Sequence, residues 1–340
     1  MLEILRQVLR EPLLPRDEFE IMKRERLAAM EQMKTEPAML APRRLQRTLD
    51  PYPKDNIRYT PTVEESIERL NATTYEQVAQ LYRDFLGSQA GELTIVGDFD
   101  PETCLLVLKG ALADWKAAKP YARIASPIVT EVPGSEQKIA TPDQANATYV
   151  AGLLFPMRDD DADYPALVMG NYMFGGGALS SRLATRVRQH EGLYYSVGSS
   201  LSVSAEDARA SFNIAAIANP ENIAKLEQSV QDELDRLLRE GVTAEELDKA
   251  RHGYLQAIQV GRASDPALAV LLNELSHLGR TMGWQADFER KTGALTPDQV
   301  NAALRRHVDP RKLVVVVAGD FDQKAAGDGK ANDDGTKPGP

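Results

Sequence analysis

At 340 residues the chain has room for about two domains, and 43% hydrophobic residues are enough for ordinary cores. A formal net charge of −10 leaves no basic footprint, which excludes nucleic acid as a partner. No apolar run approaches the roughly 20 residues that span a bilayer, which excludes membrane insertion, and a single cysteine excludes a disulfide framework.

In chain order, helical patterns cover Leu2–Leu9, Asp17–Met33, Pro37–Leu49, Val63–Leu70 and Tyr75–Leu86. An apolar strand is expected at 92–97, followed by a helix from Pro101. In that helix Cys104, beside Leu105, Leu106 and Leu108, reads as a small buried hydrophobe and not as a nucleophile. Residues 116–135 carry three prolines and no period, which marks an inter-domain linker. Strand patterns resume at Gln137–Ala140 and Ala147–Phe155. A helix over Ala162–Phe174 then runs into Gly175, Gly176 and Gly177, and another covers Ser180–Gln189.

Leu193–Ser204 and Ala208–Ala218 alternate at the separation of an antiparallel hairpin. Ile223–Leu238 has one apolar face, Gly241 ends that helix, and Thr243 with Glu246 predicts a capping box for the next. Strands followed by consecutive helices and a final strand give an α+β sandwich, with helices on one face of a mainly antiparallel sheet. Residues 323–340, rich in Gly, Asp, Lys and Pro, are expected to be disordered.

The chain also repeats itself. Residues 74–100 align without a gap on 296–322: each copy has a helix opened by threonine, an apolar segment and the ending Gly-Asp-Phe-Asp. Further back, Asp17-Glu-Phe matches Glu245-Glu-Leu, with six residues of loop length changed between the copies. Tandem duplicated domains follow: an incomplete first copy over 1–115, the linker 116–135, and a complete second copy over 136–322. The same alignment sets Met1 opposite Ser229, inside a helix, so the first copy is expected to be truncated at its N-terminus and the chain to be part of a longer one. A compartment is not encoded in what remains; periplasm and cytoplasm both suit a soluble chain of this kind.

His190, His252, His277 and His307 stand apart, with no pair three or four residues from each other and no H-E-x-x-H or H-x-x-E-H motif. No metal site is predicted in this chain. The densest functional signal is 170–198. Its three glycines permit positive φ and close approach of another backbone, and Ser180 or Ser181 can cap the helix that follows. That helix carries Arg182, Arg186 and Arg188 and passes through Gly192 into a strand with Tyr194 and Tyr195. Alternation sends Tyr195 and Val197 to one face and Tyr194 and Ser196 to the other. A phosphate loop is ruled out because no G-K-[ST] follows the glycines. From the residues alone, Tyr195 either packs on the sheet or faces a cavity, and Arg188 either holds a ligand or forms a surface ion pair.

Ser181-Arg-Leu, Arg188, Gly192, Leu193 and Tyr195, after a Gly-rich turn, resemble the signature of the second domain in each half of the pitrilysin/insulinase family of zinc metallopeptidases, the inverzincins. The helix start after Gly241 and the ending Val-Ala-Gly-Asp-Phe-Asp fit as well. The resemblance implies paired α+β domains in two halves that close on a peptide. It places the zinc motif on a front that this chain lacks, and it puts Gln32 where the family has a third, glutamate ligand. Zinc is therefore expected in a catalytic half or partner subunit, with none in this chain, and Glu25 and Glu31 read as solvated carboxylates. The implied role is the non-metal C-terminal half of a zinc metalloendopeptidase, inactive alone. In that role Tyr195 and Arg188 are catalytic contacts to a peptide substrate, and Gly175, Gly176, Gly177 and Ser181 bind it. The alternative is a non-catalytic scaffold or peptide-binding subunit of the same fold.

Overall fold

A computed structural model describes residues 2–128, 132–190 and 196–321. Six helices come first: α1 (Leu2–Arg10), α2 (Arg16–Gln32), α3 (Pro37–Leu49), α4 (Val63–Ala72), α5 (Tyr75–Phe85) and α6 (Pro101–Leu112). Strands β1 (Ser135–Ala140) and β2 (Ala147–Phe155) lead to α7 (Tyr164–Asn171), which widens into a π-helical turn at Tyr172–Gly176. A single turn, α8 (Arg182–Ala184), continues as a second π-helical run over Thr185–His190. The hairpin β3 (Ser196–Val203) and β4 (Ala210–Ala218) precedes α9 (Ile223–Glu240), α10 (Ala244–Arg262), α11 (Asp265–His277), α12 (Met282–Gly293), α13 (Pro297–His307) and β5 (Val314–Gly319). Among the described residues no helix is long and apolar enough to cross a membrane.

The chain forms two compact units that interleave in sequence. One takes residues up to 32, 61–127 and 248–295; the other takes 33–60, 128–247 and those from 296 on. The regular secondary structure of the first unit's described residues is all helical. Here the strand expected at 92–97 does not form. Its counterpart by sequence, β5, has β1 on one side and β2 on the other to take up its backbone groups. Leu93–Val96 have no such neighbours among the described residues, so an apolar run alone does not make a strand there. Helix α6 also departs from expectation: it buries Leu108 and Ala111, whereas Cys104 is half-buried and Leu105 and Leu106 are exposed.

The second unit holds the sheet, in the order β1-β5-β2-β4-β3, with β1 and β5 parallel and every other pair antiparallel. Tyr149, Ala151 and Leu153 of β2 share one face with Phe212, Ile214 and Ala216 of β4, and α9 packs on these two strands. On the opposite face, Ala41, Leu45 and Leu49 of α3 cover Val150, Val314, Val316 and Ala318. Helices thus lie mainly on one face, and α3, from the chain's first third, adds a cover to the other. This explains the sequence of β5. A strand buried on both faces shows no alternation, and Val314 to Val317 are all valine, while β4 alternates between buried and partly exposed positions. Gly152 lets α3 come close, since a Cβ there would meet Asn213 Oδ1 at 2.6 Å and methyls of Leu45 and Leu49 at 3.3 Å. Past the helix end, the buried Asp50 accepts two hydrogen bonds from Arg209, at 2.9 and 2.5 Å.

The repeat in the sequence has a local structural counterpart. Helices α5 and α13 are both 11 residues long and open with the same capping box. Thr74 and Thr296 each donate a backbone N–H to the Gln77 or Gln299 side chain at 2.9 Å, and their hydroxyls accept from the same residues' N–H at 3.3 and 3.4 Å. Leu45→Ala should cost about 2–5 kcal/mol, because it opens a cavity between α3 and the sheet that the surrounding strands cannot close. Urea unfolding followed by circular dichroism measures the loss, and a change within error would mean that α3 is not part of the sheet's core.

Candidate functional site

The region singled out by the sequence begins at α7, where Pro165, Ala166, Leu167, Met169 and Gly170 are buried. Asp163, just before it, accepts from Arg306 at 2.5 Å and pairs with His307 Nε2 at 2.9 Å, which ties this end of α7 to α13. The helix then widens into its π turn, a form that often marks functional segments. Gly175 in this turn is buried against β3: a Cβ there would lie 2.5 Å from both the N and Oγ of Ser199. Ser199 Oγ in turn donates to Asn171 Oδ1 at 2.7 Å.

The positive φ expected at these glycines is not found. Gly177 has φ −82, and among the described residues the positive-φ glycines are Gly97, Gly241 and Gly279. What the three glycines permit is close packing. A Cβ on Gly176 would meet the Asn171 side chain at 2.7 Å, and one on Gly177 would meet Tyr172 O at 2.7 Å. Of the three, Gly176 is the exposed one.

Ser181 is the residue that caps. It is buried, and its hydroxyl accepts from Ala184 N–H at 3.3 Å, whereas Ser180 Oγ donates to Gly177 O at 2.8 Å. The regular helix expected over Ser180–Gln189 is instead one α turn and a π run. Arginines anchor this segment to α9 and α10. Arg182 forms two hydrogen bonds to Glu246, both 2.6 Å, and a third to Gly241 O at 2.8 Å. The Glu246 carboxylate holds the Arg182 guanidinium still further toward its charged form, against partial burial. As a result only half of the predicted capping box is present. Glu246 N–H donates to Thr243 Oγ1 at 3.2 Å, but the Glu246 side chain belongs to Arg182.

Glu233 of α9 is 2% exposed and sits among three guanidinium groups: Arg236 at 3.5 Å, Arg186 at 3.6 Å and Arg182 at 3.9 Å. Arg186 also donates to Asp232 at 2.9 Å. These groups line a cleft of about 680 Å³ together with Ser180, Thr185 and Thr243. Sequence reasoning missed Glu233, although a signal exists. With Leu226, Val230 and Leu237 it continues the buried stripe of α9, so a carboxylate stands at an apolar position and needs partners.

The structure gathers Gly175, Gly176, Gly177 and Ser181 into one short stretch, the first packed on β3. The backbone of Arg188 lies in the second π run, and its side chain is outside what the structure describes. Tyr195, with Gly192, Leu193 and Tyr194, also lies outside the described residues. Metal ligation does not fit the residues at hand. Among the described residues no three His, Cys, Asp or Glu are grouped to hold an ion; His277 pairs with Glu92 at 3.1 Å and His307 with Asp163. Gln32 is exposed at the end of α2. No chemical step is assigned to a metal on this chain.

Residues 72–254, which span the whole of this region, match the family model of the peptidase M16 inactive domain. The chain belongs to the peptidase M16 family. Similarity to an uncharacterized zinc protease of Streptomyces coelicolor is 26% over 270 residues, 77% of this chain and 57% of the relative, so the chain spans little more than half of that protein's length. The M16 inactive domain structure from Pseudomonas fluorescens is 25% identical, with a TM-score of 0.73 over 94% of this chain and 74% of the other. A protease from Helicobacter pylori shares the fold at 14% identity, with a TM-score of 0.76 over 94% and 75% of the two chains. The pitrilysin/insulinase resemblance read from the Ser181–Tyr195 motif agrees with this M16 assignment.

In this M16 domain the buried Glu233 should matter more than its exposed neighbour. Glu233→Gln leaves three guanidinium groups facing a neutral amide and should cost on the order of 3 kcal/mol. Asp232→Asn removes a partly exposed pair and should cost less than about 1 kcal/mol. Paired denaturation curves test the difference; equal effects would mean that the three arginines gain little from the buried charge.

Proposed function

We propose that this chain supplies substrate contacts to a zinc metalloendopeptidase whose metal is carried by another half or a partner subunit. The observation that supports this reading is the match to the M16 inactive domain over 72–254, with Arg188 and Tyr195 both present in the motif it contains. In this reading residues 1–115 are an incomplete first domain and 136–322 a complete second one, and a peptide is held between this half and the catalytic one.

The chemistry divides accordingly. The hydroxyl of Tyr195 donates a hydrogen bond to the substrate carbonyl as its oxygen gains charge, and the planar guanidinium of Arg188 holds a backbone carbonyl or carboxylate of the peptide. Both depend on how the chain from 181 to 195 is held. The Ser181 cap and the Arg182–Glu246 clamp fix the start of that segment, at 3.3 Å and 2.6 Å. Gly175 fixes the preceding turn on β3, Gly176 and Gly177 let that turn pack on Asn171 and Tyr172, and the exposed Gly176 is the one of the three that a peptide could reach.

With a half or subunit carrying the H-x-x-E-H motif restored, Tyr195→Phe should lower kcat by about 100-fold with little change in KM, because the lost donor acts on the developing oxyanion. Arg188→Ala should raise KM as well. Unchanged turnover in a folded Tyr195→Phe protein would favour the scaffold reading, in which the same fold binds a partner without contributing to catalysis. For the chain alone, elemental analysis after chelation and dialysis should find no stoichiometric zinc. One tightly held zinc per chain would overturn the assignment of the metal to another half.

A further inference from the structure

A second polar feature lies away from the arginine cleft. On the face of the sheet that carries α9, a cavity of about 230 Å³ opens between the edge strand β1, β2, α9 and the loop before β5. Its walls are largely apolar: Ile214, Val230, Leu234, Leu313 and Val315. Three acidic or phenolic side chains share it, the exposed Glu136 from β1, the buried Tyr149 from β2 and the half-buried Glu227 from α9, beside the neutral Ser135 and Gln231. Strand register explains the first two. Glu136 pairs with Val315, Val315 with Ala151 and Tyr149 with Val317, so Glu136 and Tyr149 point to the same side of the sheet.

These three groups have no hydrogen bond or ion pair among the described residues. Tyr149 is 3% exposed, and its hydroxyl, which reaches solvent only through the cavity, has no protein partner among the described residues. Burial pushes the Glu227 carboxyl up, and the nearby Glu136 pushes it further; the Tyr149 phenol is raised by burial and then by the same two carboxylates. Nearby cations do not resolve this. Arg311 at the rim is held by Asp309 through two contacts of 3.0 Å, and Lys138, which draws Glu227 back toward its charged form, is exposed on β1.

We propose that this cavity binds a primary alkylammonium group on a short aliphatic stem. An ammonium has three N–H donors, and two carboxylates and a phenol oxygen are present to accept them. The apolar walls suit the stem. A hard divalent cation is a poorer fit, since it makes no use of the apolar walls that Ile214, Val230, Leu234, Leu313 and Val315 provide, whereas a carbon stem fills them. The ammonium could belong to a free amine or to a lysine side chain of a peptide lying along the edge of β1, where a strand can add.

Ligand-observed NMR titrations of the full chain with n-pentylamine, n-pentanol and acetyl-Ala-Lys-Ala-amide test this directly, with no need for peptidase activity. Pentylamine should bind about tenfold or more tighter than pentanol, and Glu227→Gln should remove that advantage while leaving pentanol unchanged. Because the raised Glu227 must lose its proton to pair with the ammonium, amine binding should be tighter at about pH 8 than at about pH 5. Tighter binding of the lysine peptide than of pentylamine assigns the site to a side chain; the reverse assigns it to a free amine. Equal binding of pentanol and pentylamine, no binding of either amine, or no effect of Glu227→Gln in a folded protein would each overturn the proposal. The variant removes an unpartnered charge, so its urea midpoint should be no lower than that of the parent.

Discussion

Strand β5 sits at the centre of the second unit's constraints, because it is buried on both faces and paired on both edges. Each of its valines removes apolar surface from water, worth about 1.5–3 kcal/mol per fully buried side chain, but only if something covers each face. One face of the sheet is covered by α9, the helix that follows β4 in sequence. The other depends on α3, which is separated from the sheet by the whole of 61–127, all of it in the other unit. The sheet's core is therefore assembled from distant stretches of chain. The Asp50–Arg209 pair fixes the end of α3 by a bidentate contact between residues 159 apart in sequence.

The arginine cleft follows a second constraint, that a buried carboxylate must be paired. Glu233 at 2% exposure would be costly alone, and three guanidinium groups within 4 Å answer it. Two of those groups, Arg182 and Arg186, lie on the segment that leads to Arg188 and Tyr195, four residues apart and so on one side of a helical turn. The same electrostatic requirement that stabilises α9 thus orients the start of the candidate substrate-contact segment. A buried residue of α9 and the start of the 181–190 segment are coupled through charge.

The sequence was most legible where a local rule decides. Helix starts at Thr74 and Thr296, the valine run of β5 and the alternation of β4 follow from capping and burial pattern, which act within a few residues. Where a neighbour far along the chain decides, the reading failed. Residues 92–97 have strand composition and, among the described residues, no strand paired with them. Gly175 answers to Ser199 of β3 and not to its own φ, and the Glu246 side chain answers to Arg182 and not to its own helix cap. For Arg188 and Tyr195 only the motif resemblance suggests a role, because alternation and spacing cannot distinguish a packed tyrosine from one that faces a cavity, and the Arg188 side chain and all of Tyr195 lie outside the described residues.

Buried and half-buried carboxylates in the second unit also separate two kinds of site. Asp50 meets Arg209, Glu233 meets three arginines, and Asp163 meets Arg306 and His307. Glu227 has no such partner among the described residues and carries a raised pKa instead. The sign of its effect on stability follows. A carboxyl whose folded pKa lies above its unfolded value contributes stability below the unfolded value and loses it as pH rises through the folded one. At neutral pH Glu227 therefore works against the fold, and a bound cation would reverse that by supplying the kind of partner that Asp50, Glu233 and Asp163 already have. In the arginine cleft each carboxylate already faces a guanidinium, whereas in the cavity beside β1 Glu227 and Glu136 have no hydrogen bond or ion pair among the described residues. Of the two polar features, the first is suited to holding a segment in place and the second to taking up a positively charged group from outside.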